Sequence, residues 1–194
     1  MKRAFDFPVA LLGSVLTSPV VLACAIAVKL DSSGPALYSG PRSGRHGKVF
    51  QIHKLRTMRP APGPSVTAAD DPRITRVGRF LRRTKLDELP QLWNVVIGEM
   101  SLVGPRPEHP DFVARYTPQQ RQLLSVRPGI TGPAALAFMD EESLLAGRSD
   151  NAYVEEVMPR KLALELDYLR RATFASDVAI LLKTLSAVVG ARRA

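Results

Sequence analysis

The longest apolar run in the chain covers residues 7–30 and carries a single charge, Lys29. It is about as long as the roughly 20 residues that a helix needs to cross a bilayer. Ser18 and Pro19 lie near its middle, where proline removes a helical hydrogen bond and kinks the helix. The pattern predicts a helix–break–helix unit in a membrane, residues 1–30, followed by a second unit, residues 31–194. A buried helix of a soluble protein and a secretory signal peptide are the alternatives.

Basic residues flank this run on both sides. Those before it are Lys2 and Arg3, and those at its end and after it are Lys29, Arg42, Arg45 and Lys48. Basic flanks tend to stay in the cytoplasm. The pattern therefore favours a re-entrant hairpin, with both ends in the cytoplasm, over a simple span.

The remaining patterns predict an α+β fold that is mostly helical. Two strand-like runs, 36–38 and 48–53, flank a glycine- and arginine-rich turn and predict a small β-hairpin in the second unit. Residues 60–69 resemble a linker, and residues 127–133 a turn-rich loop. Helices are expected over 117–126, 151–171 and 174–189. The last of these is apolar enough to be a candidate for interfacial insertion.

From Asp71 onward, basic and apolar residues alternate at helical spacing. Ile74, Val77 and Leu81, with Phe80, share one face, and four arginines lie opposite, at positions 73, 76, 79 and 83. Such a basic amphipathic helix is typical of an anionic membrane surface. Nucleic-acid binding and simple solvation are the alternatives.

Composition narrows the chemistry. The chain has 194 residues, enough for one domain with a core, and a net charge of +9, which indicates anionic partners. One cysteine, Cys24, and three scattered histidines exclude a disulfide framework and disfavour a zinc site. A metal here would be a hard cation held by carboxylates.

The segment 84–108 concentrates the candidate catalytic residues. Asp87 and Glu88 are adjacent, so on a helix their side chains point about 100° apart and address different partners. Pro90 indicates that a helix starts nearby, which offers a structural alternative: Asp87 or Thr84 as its N-cap, and Glu88 as a residue that compensates the helix dipole. The residues alone leave both interpretations open.

Arginines surround this pair. Arg82 precedes it, Arg106 lies between two prolines, and Arg127 precedes a Pro-Gly turn. A rigidly held guanidinium can bind phosphate through two hydrogen bonds. A single arginine beside a proline is usually only a charged residue on the protein surface. Several arginines together with a carboxylate and a metal ligand are what phosphoryl transfer needs.

Four segments carry a resemblance to a known family. They are KLRTM at 54–58, LRRTKLDELPQ at 81–91, MSLVGPRPE at 100–108 and RPGITG at 127–132. In this order they resemble the bacterial sugar transferases, the monotopic phosphoglycosyl transferases, over nearly the whole chain. The resemblance implies the small form, without additional upstream membrane helices. Lys85, where the family has a small hydroxyl residue, and Gly40-Pro41-Arg42, where it has Gln-x-Arg, depart from the pattern.

The resemblance implies transfer of a sugar phosphate from a nucleoside diphosphate sugar, usually a uridine one, to polyprenyl phosphate at the cytoplasmic face of the bacterial inner membrane. Asp87 would be the nucleophile that forms a covalent phosphosugar intermediate. Glu88, with Asp87, would bind Mg²⁺ and also help to deprotonate the acceptor. The implied substrate-binding residues are Arg82, Arg106, Arg127, Lys54 and Arg56, with Glu108 either in the same role or anchoring an arginine.

Other functions remain to be separated by experiment. A lipid-linked diphosphate hydrolase or a transferase that delivers only the sugar could use the same metal and arginines. A basic membrane-anchored scaffold or nucleic-acid binder is the non-enzymatic alternative. Phe80 is the one aromatic residue in the basic helix, which disfavours single-strand binding, so no nucleic-acid partner is expected. The motifs specify neither the sugar nor an oligomeric state.

Overall fold

A computed structural model of the protein describes residues 2–62, 67–145 and 153–190. In chain order its elements are α1 (Lys2–Asp31), β1 (Leu37–Ser43), β2 (Val49–Leu55), α2 (Arg76–Thr84), α3 (Gln91–Ile97), β3 (Ser101–Val103), α4 (Pro110–Val113), β4 (Gly129–Thr131), α5 (Pro133–Ala137), α6 (Glu141–Leu144), α7 (Met158–Arg171) and α8 (Phe174–Gly190). Short 3₁₀ turns occur at Arg45–Gly47, Leu86–Glu88 and Gln120–Ser125, and a π-helical turn at Tyr153–Val157. The predicted mostly helical fold with small sheets is confirmed.

Helix α1 runs through Pro19 as one 30-residue element. Proline has no amide hydrogen to donate to the carbonyl of Val15, four residues earlier. The Ser18 hydroxyl donates to that carbonyl instead, at 2.7 Å. By length and composition this is the one described helix that could cross a membrane, with a mean hydropathy of 2.2 in its most apolar window. The kink at Ser18-Pro19 and the re-entrant path stay predictions.

Both ends of α1 contact the rest of the chain. Near its start, Asp6 is buried and accepts a hydrogen bond from the Ser101 hydroxyl at 2.7 Å. At its end, Asp31 accepts one from the backbone amide of Val77 at 3.0 Å, and Val28 is buried. The start and the end of the helix are therefore fixed to the same body.

Strands β1 and β2 form the predicted antiparallel hairpin, and both are longer than expected. Pairing continues from Leu37 opposite Leu55 to Ser43 opposite Val49, so residues 40–43 belong to a strand and not to the turn. The turn itself is confined to residues 44–48, where His46 has φ 59° and Gly47 has φ 74°. Proline has no amide hydrogen to donate to a neighbouring strand. Pro41 is tolerated because β1 is an edge strand of a two-stranded sheet.

A second sheet replaces the loop that was predicted over 127–133. Strands β3 and β4 pair in parallel, with Ser101 opposite Gly129 and Val103 opposite Thr131. A Cβ atom added to Gly129 would lie 2.1 Å from the backbone nitrogen of Gly104, so these two chain segments approach more closely than a side chain permits. The loop prediction was wrong because strands of three residues show no periodicity.

Helix α2 begins at Arg76, later than the predicted start at Asp71. Thr75 is its N-cap and accepts a hydrogen bond from the Gly78 amide. Leu81 is buried as expected, whereas Phe80 is 49% exposed and does not join the buried face. The basic, amphipathic character of α2 stands, and its contact with a membrane stays a prediction.

The C-terminal half packs around α7. The helix predicted over 117–126 is the shorter 3₁₀ turn Gln120–Ser125. The helix predicted over 151–171 corresponds to Tyr153–Val157 followed by α7, with residues 151 and 152 outside the described part. The helix predicted over 174–189 is α8. The predicted linker, 60–69, includes residues 63–66, which also lie outside it.

Candidate active site

The carboxylate pair lies in a tight turn between two helices. Helix α2 ends at Thr84, Lys85 adopts a left-handed conformation with φ 55°, and Leu86–Glu88 forms a 3₁₀ turn before α3. The residue that caps α3 is Pro90, without a side-chain cap hydrogen bond. The capping interpretation of Asp87 is therefore wrong. It is also wrong for Thr84, whose hydroxyl donates to the Phe80 carbonyl.

Asp87 is a buried carboxylate with a free oxygen. The residue is 7% exposed, and its Oδ1 has no hydrogen-bond donor among the residues that the structure describes. Burial, followed by the charge of Glu88, raises the pKa of Asp87 to about 6. The cations of Lys54, Lys85 and Arg82 act in the opposite direction. Asp87 is thus ionised at neutral pH and available to an incoming electrophile.

Glu88 has the opposite environment. Its Oε1 accepts a hydrogen bond from the Lys54 ammonium at 2.9 Å and lies 3.7 Å from the Arg106 guanidinium. Burial alone would raise the pKa of Glu88, but the charges of Lys54 and Arg106 outweigh it and lower the pKa to about 2. Glu88 is a permanent anion, and it holds two cations beside Asp87.

Two of the predicted phosphate ligands belong to this group. Arg106 contacts Glu88 directly. Arg82 lies in the last turn of α2 and donates from Nε to the Thr57 hydroxyl at 2.8 Å. It is one of the cations that lower the pKa of Asp87. With Lys54, they supply three positive charges around two carboxylates.

Glu108 has a structural role in this arrangement. Its Oε1 accepts hydrogen bonds from the Tyr153 hydroxyl at 2.8 Å and from the Lys161 ammonium at 3.2 Å. Burial would raise the pKa of Glu108, but Lys161 and Tyr153 outweigh it and keep it below its usual range. Lys161 is 3% exposed and also binds Glu141 at 3.0 Å. The bonded oxygen of Glu108 therefore anchors a lysine and a tyrosine, while its charge also acts on Arg106. Its predicted role at the substrate or toward an arginine stays a prediction.

Arg56 and Arg127 are not brought to the carboxylates. Three nitrogens of the buried Arg56 guanidinium donate to the carbonyls of residues 32, 33 and 35, at 2.9, 2.7 and 2.6 Å. Arg127 donates to the Gly98 carbonyl at 2.8 Å, beyond the C-terminal end of α3. Because Asp87 precedes the other end of this seven-residue helix, about 10 Å of helix separates the two positions.

The predicted metal ligands offer a sparse but suitable donor set. No cluster of three or more His, Cys, Asp or Glu side chains occurs within the described ranges. Mg²⁺ commonly uses only one or two carboxylates and completes its shell with water and substrate phosphates. Asp87 has a free oxygen, Oδ1, and Glu88 uses only Oε1 in its hydrogen bond with Lys54, which leaves Oε2 for a metal. These two carboxylate oxygens fit that requirement.

Comparison with known proteins identifies the family. Residues 1–191 match the family described as bacterial sugar transferase. The chain belongs to the bacterial sugar transferase family. The resemblance of the four sequence segments is thereby confirmed.

Three related bacterial sugar transferases are informative. A UDP-glucose:undecaprenyl-phosphate glucose-1-phosphate transferase of Caulobacter vibrioides is 40% identical over 97% of this chain and 69% of its own length. A protein of the same name from Escherichia coli is 38% identical over 95% of this chain and 39% of its own. An undecaprenyl-phosphate galactose phosphotransferase of Salmonella typhimurium is 37% identical over 97% of this chain and 40% of its own length. The chain thus spans about two fifths of the length of the last two. None of these names supports the scaffold or nucleic-acid alternative.

Sequence reasoning missed part of this sugar transferase site. Lys161 and Tyr153 bind Glu108, Lys161 also binds Glu141, and Glu165 is 2% exposed, with the backbone amides of Arg106 and Ala134 beside it. Burial raises the pKa of Glu165 to about 7. A signal was present: Lys161 and Glu165 are spaced i and i+4, in register with the buried Leu162 and Leu166 of α7. Charged residues on a core-facing stripe indicate a buried polar network.

Proposed function

We propose that the protein transfers a sugar 1-phosphate from a UDP-sugar to a polyprenyl phosphate, giving polyprenyl-diphosphate-sugar and UMP and so initiating glycoconjugate synthesis. The names of all three relatives contain undecaprenyl phosphate, and those of two of them also contain UDP-glucose, which supports the acceptor and the donor. The observation that carries the proposal is the buried carboxylate of Asp87, with one oxygen free, amid the cations Lys54, Arg82 and Arg106.

In the first half-reaction, an Asp87 oxygen attacks the sugar-bearing phosphorus of the donor. An oxygen–phosphorus bond forms, the bond from that phosphorus to the oxygen bridging both phosphates breaks, and its electron pair leaves with UMP. The product is an aspartyl phosphosugar. An ionised nucleophile is needed, and a pKa of about 6 leaves Asp87 ionised at neutral pH.

Cations must offset the repulsion between this anionic nucleophile and an anionic donor. Arg106 and Lys54 are held at the site by Glu88, and Arg82 by Thr57. Glu88 and Asp87 would also hold Mg²⁺, which when bound supplies charge neutralisation at the diphosphate. Glu88 would therefore orient cations, while Asp87 carries the transferred group.

In the second half-reaction, an oxygen of the polyprenyl phosphate attacks the same phosphorus and displaces the Asp87 carboxylate. A diphosphate bond forms as the acyl phosphate bond breaks, so the enzyme returns to its starting state. Because this acceptor remains in the bilayer, the site must lie at the membrane surface. Extracting the lipid would cost about 0.8 kcal/mol for each CH₂ group.

The N-terminal helix suits such a location. Leu12, Val15, Leu16 and Leu22 on α1 are each at least 60% exposed, an apolar surface with no partner in the described chain. Since both ends of α1 contact the same body, a re-entrant path leaves that body on one side of the bilayer. We assign this side to the cytoplasmic face of the bacterial inner membrane, with α2 and α8 at the lipid surface.

Product identity tests this function. Purified protein is incubated with undecaprenyl phosphate, Mg²⁺ and a panel of UDP-sugars, and the released nucleotide is measured. UMP release is expected, with a phosphosugar adduct on Asp87 when the acceptor is omitted. Release of UDP would instead indicate transfer of the sugar alone. Formation of free sugar 1-phosphate, without any lipid product, would indicate a hydrolase.

The nucleophile is tested by Asp87→Asn, which should lower turnover by about 1,000-fold or more and abolish the adduct, while UDP binding is retained. Asp167→Asn, a half-exposed aspartate on α7 that pairs with Arg171, is the matched control and should leave turnover unchanged. Turnover near normal in Asp87→Asn would exclude Asp87 as the nucleophile.

A further inference from the structure

Arg42 lies at the end of β1 beside the loop that carries Arg106. Its neighbour Ser43 donates its backbone amide to the Glu108 carbonyl at 2.9 Å, which joins the strand to this loop. Burial lowers the pKa of Arg42 from its usual value, and the positive charge of Arg106 lowers it further. Two guanidinium groups therefore share one partly desolvated region.

The Arg42 guanidinium has few partners for its five donors. Its one side-chain hydrogen bond to the described residues goes to the carbonyl of Pro41, at 2.8 Å. Glu108 is close enough to interact with its charge, but Tyr153 and Lys161 already occupy the bonded oxygen of that carboxylate. No ion pair joins Arg42 to a carboxylate in the described ranges. An under-used guanidinium next to a second cation is suited to binding an anion.

The position of Arg42 relative to Asp87 indicates which anion. Arg106 contacts Glu88, the residue next to the nucleophile. Lys54, which binds Glu88, lies opposite Tyr38 in the hairpin, whereas Arg42 lies four residues further along β1, opposite Phe50 and next to the Ser43 that is bonded to the Glu108 carbonyl. The order along the site is thus Asp87, Arg106 and then Arg42. A diphosphate that presents its sugar-bearing phosphate to Asp87 extends its second phosphate in that direction.

We propose that Arg42 binds the nucleoside-bearing phosphate of the donor, the phosphate that leaves as nucleoside monophosphate, with Arg106 between it and the nucleophile. This inference rests on the proposed function. When the bond between the bridging oxygen and the sugar-bearing phosphorus breaks, the leaving phosphate gains one negative charge. A guanidinium at that position stabilises the transition state more than the ground state. Arg42 would thus bind donor and product, and would face the acceptor phosphate once UMP has left, because the acceptor attacks from the side that UMP vacates.

The experiment compares three variants of the full chain in detergent micelles. Arg42→Gln removes the charge, and Arg42→Lys keeps the charge without the planar fork. Arg45→Gln makes the same change three residues along, at an exposed arginine that donates to the Ser125 carbonyl. Affinities for UMP and UDP are measured by titration calorimetry, which needs no turnover. The KM for undecaprenyl phosphate is measured with UDP-glucose as donor.

Arg42→Gln should weaken the binding of both UMP and UDP by about 10- to 100-fold, the range expected for a charge-assisted phosphate contact. Arg42→Lys should lose less affinity, and Arg45→Gln none. The KM for undecaprenyl phosphate is also expected to rise, because its phosphate takes the position that UMP vacates. Equal UMP affinities in the wild type and Arg42→Gln would overturn the inference. So would an effect confined to the KM of the acceptor.

Failure of the proposed function gives a different result. In that case the wild-type protein would release no UMP from any donor, whereas the calorimetric comparison would still report on Arg42. Thermal unfolding of each variant is followed by circular dichroism. If Arg42→Gln unfolds early, the comparison is carried by Arg42→Lys, which should still weaken UMP binding relative to Arg45→Gln.

Discussion

At the scale of single residues, the site gives two adjacent carboxyl groups opposite acid–base behaviour. Glu88 is bonded to Lys54 and its pKa falls to about 2, whereas Asp87 has a free oxygen and its pKa rises to about 6. A raised pKa makes a carboxylate a better nucleophile once it is ionised, at the cost of protonation in mild acid. Lys85 moderates this cost, because its charge lowers the pKa of both groups.

The pH dependence of turnover follows from this balance. Protonation of Asp87 removes the nucleophile, so kcat/KM for the UDP-sugar should decline as the pH falls through about 6. Lys85→Gln removes a charge that favours the ionised form, so the pKa of Asp87 should rise and the acid limb should move to higher pH. The ratio of kcat/KM at pH 6 to that at pH 8 should drop about two- to threefold.

Lys85→Arg keeps the charge and is the matched control for this experiment. Both substitutions change the ammonium that donates to the Met139 carbonyl at 3.1 Å, so loss of that contact alone would affect the two variants alike. A pH profile of Lys85→Gln that overlays the Lys85→Arg profile would contradict an electrostatic role for Lys85.

The sequence singles out Asp87, Glu88 and Arg106, which lie in one segment. Their roles stay predictions, and the sequence indicates only part of their surroundings. The cation that lowers both pKa values most, Lys54, comes from elsewhere and lies 34 positions before Glu88. Lys161 lies 53 positions after Glu108. Such pairs are created by packing, which local spacing does not encode. Arg56 is the opposite case. It belongs to one of the family motifs, but its guanidinium binds backbone carbonyls and not the two carboxylates.

At the scale of secondary structure, the position of α2 depends on a close backbone contact. A Cβ atom added to Gly78 would lie 2.0 Å from the carbonyl oxygen of Thr57. The Thr75 amide donates to that same oxygen, at 3.1 Å. Because α2 carries Arg82 and leads directly into the turn of Asp87, this contact sets the distance between the helix and the end of the hairpin.

Gly78→Ala should therefore destabilise the protein although alanine favours helix formation. The gain in helix propensity is at most about 1 kcal/mol, whereas the clash with backbone forces α2 to move, at a cost of about 3 kcal/mol or more. We expect a lower unfolding temperature and weaker UDP binding, measured by circular dichroism and calorimetry.

Gly13→Ala in α1 is the control for Gly78→Ala, since its Cβ would meet Leu92 at an ordinary 3.4 Å. It should leave the unfolding temperature unchanged or raise it. An unfolding temperature of Gly78→Ala equal to that of the wild type would show that α2 can move without loss of packing.

Which elements the sequence predicted depends on their length. The helices α1, α7 and α8 show clear apolar patterns over 14 to 30 residues, and the hairpin has a recognisable turn. Strands β3 and β4 have three residues each and pair across a separation of 28 positions, from Ser101 to Gly129. Neither strand is stable without the other, so neither leaves a local signal.

At the scale of the whole molecule, exposed apolar side chains occur on several of the described helices. Besides α1, they include Phe80 on α2, Trp93 and Ile97 on α3, and Leu182 and Leu185 on α8, each at least 49% exposed. The chain also carries a net charge of +9. Apolar side chains combined with an excess of basic residues fit insertion at an anionic lipid surface. The topology of α1 decides on which side of the bilayer this surface lies.

The re-entrant path can be tested with single cysteines. Cys24 is first replaced by serine, and cysteines are then introduced at Ala4 and Lys48, both exposed. The Ala4 position leaves the ion pair between Lys2 and Asp177 intact. In intact cells, a membrane-impermeant maleimide should label neither cysteine. In inverted membrane vesicles it should label both, because each end of α1 is bonded to the same body.

A spanning helix would give a different pattern, with Ala4 and Lys48 labelled from opposite sides, and would reject the re-entrant path. It would also require the contacts at one end of α1 to break, either that of Asp6 with Ser101 or that of Asp31 with Val77. At the start of the helix this would separate the buried Asp6 from Ser101. The contacts of α1 therefore oppose a spanning orientation independently of the flanking charges.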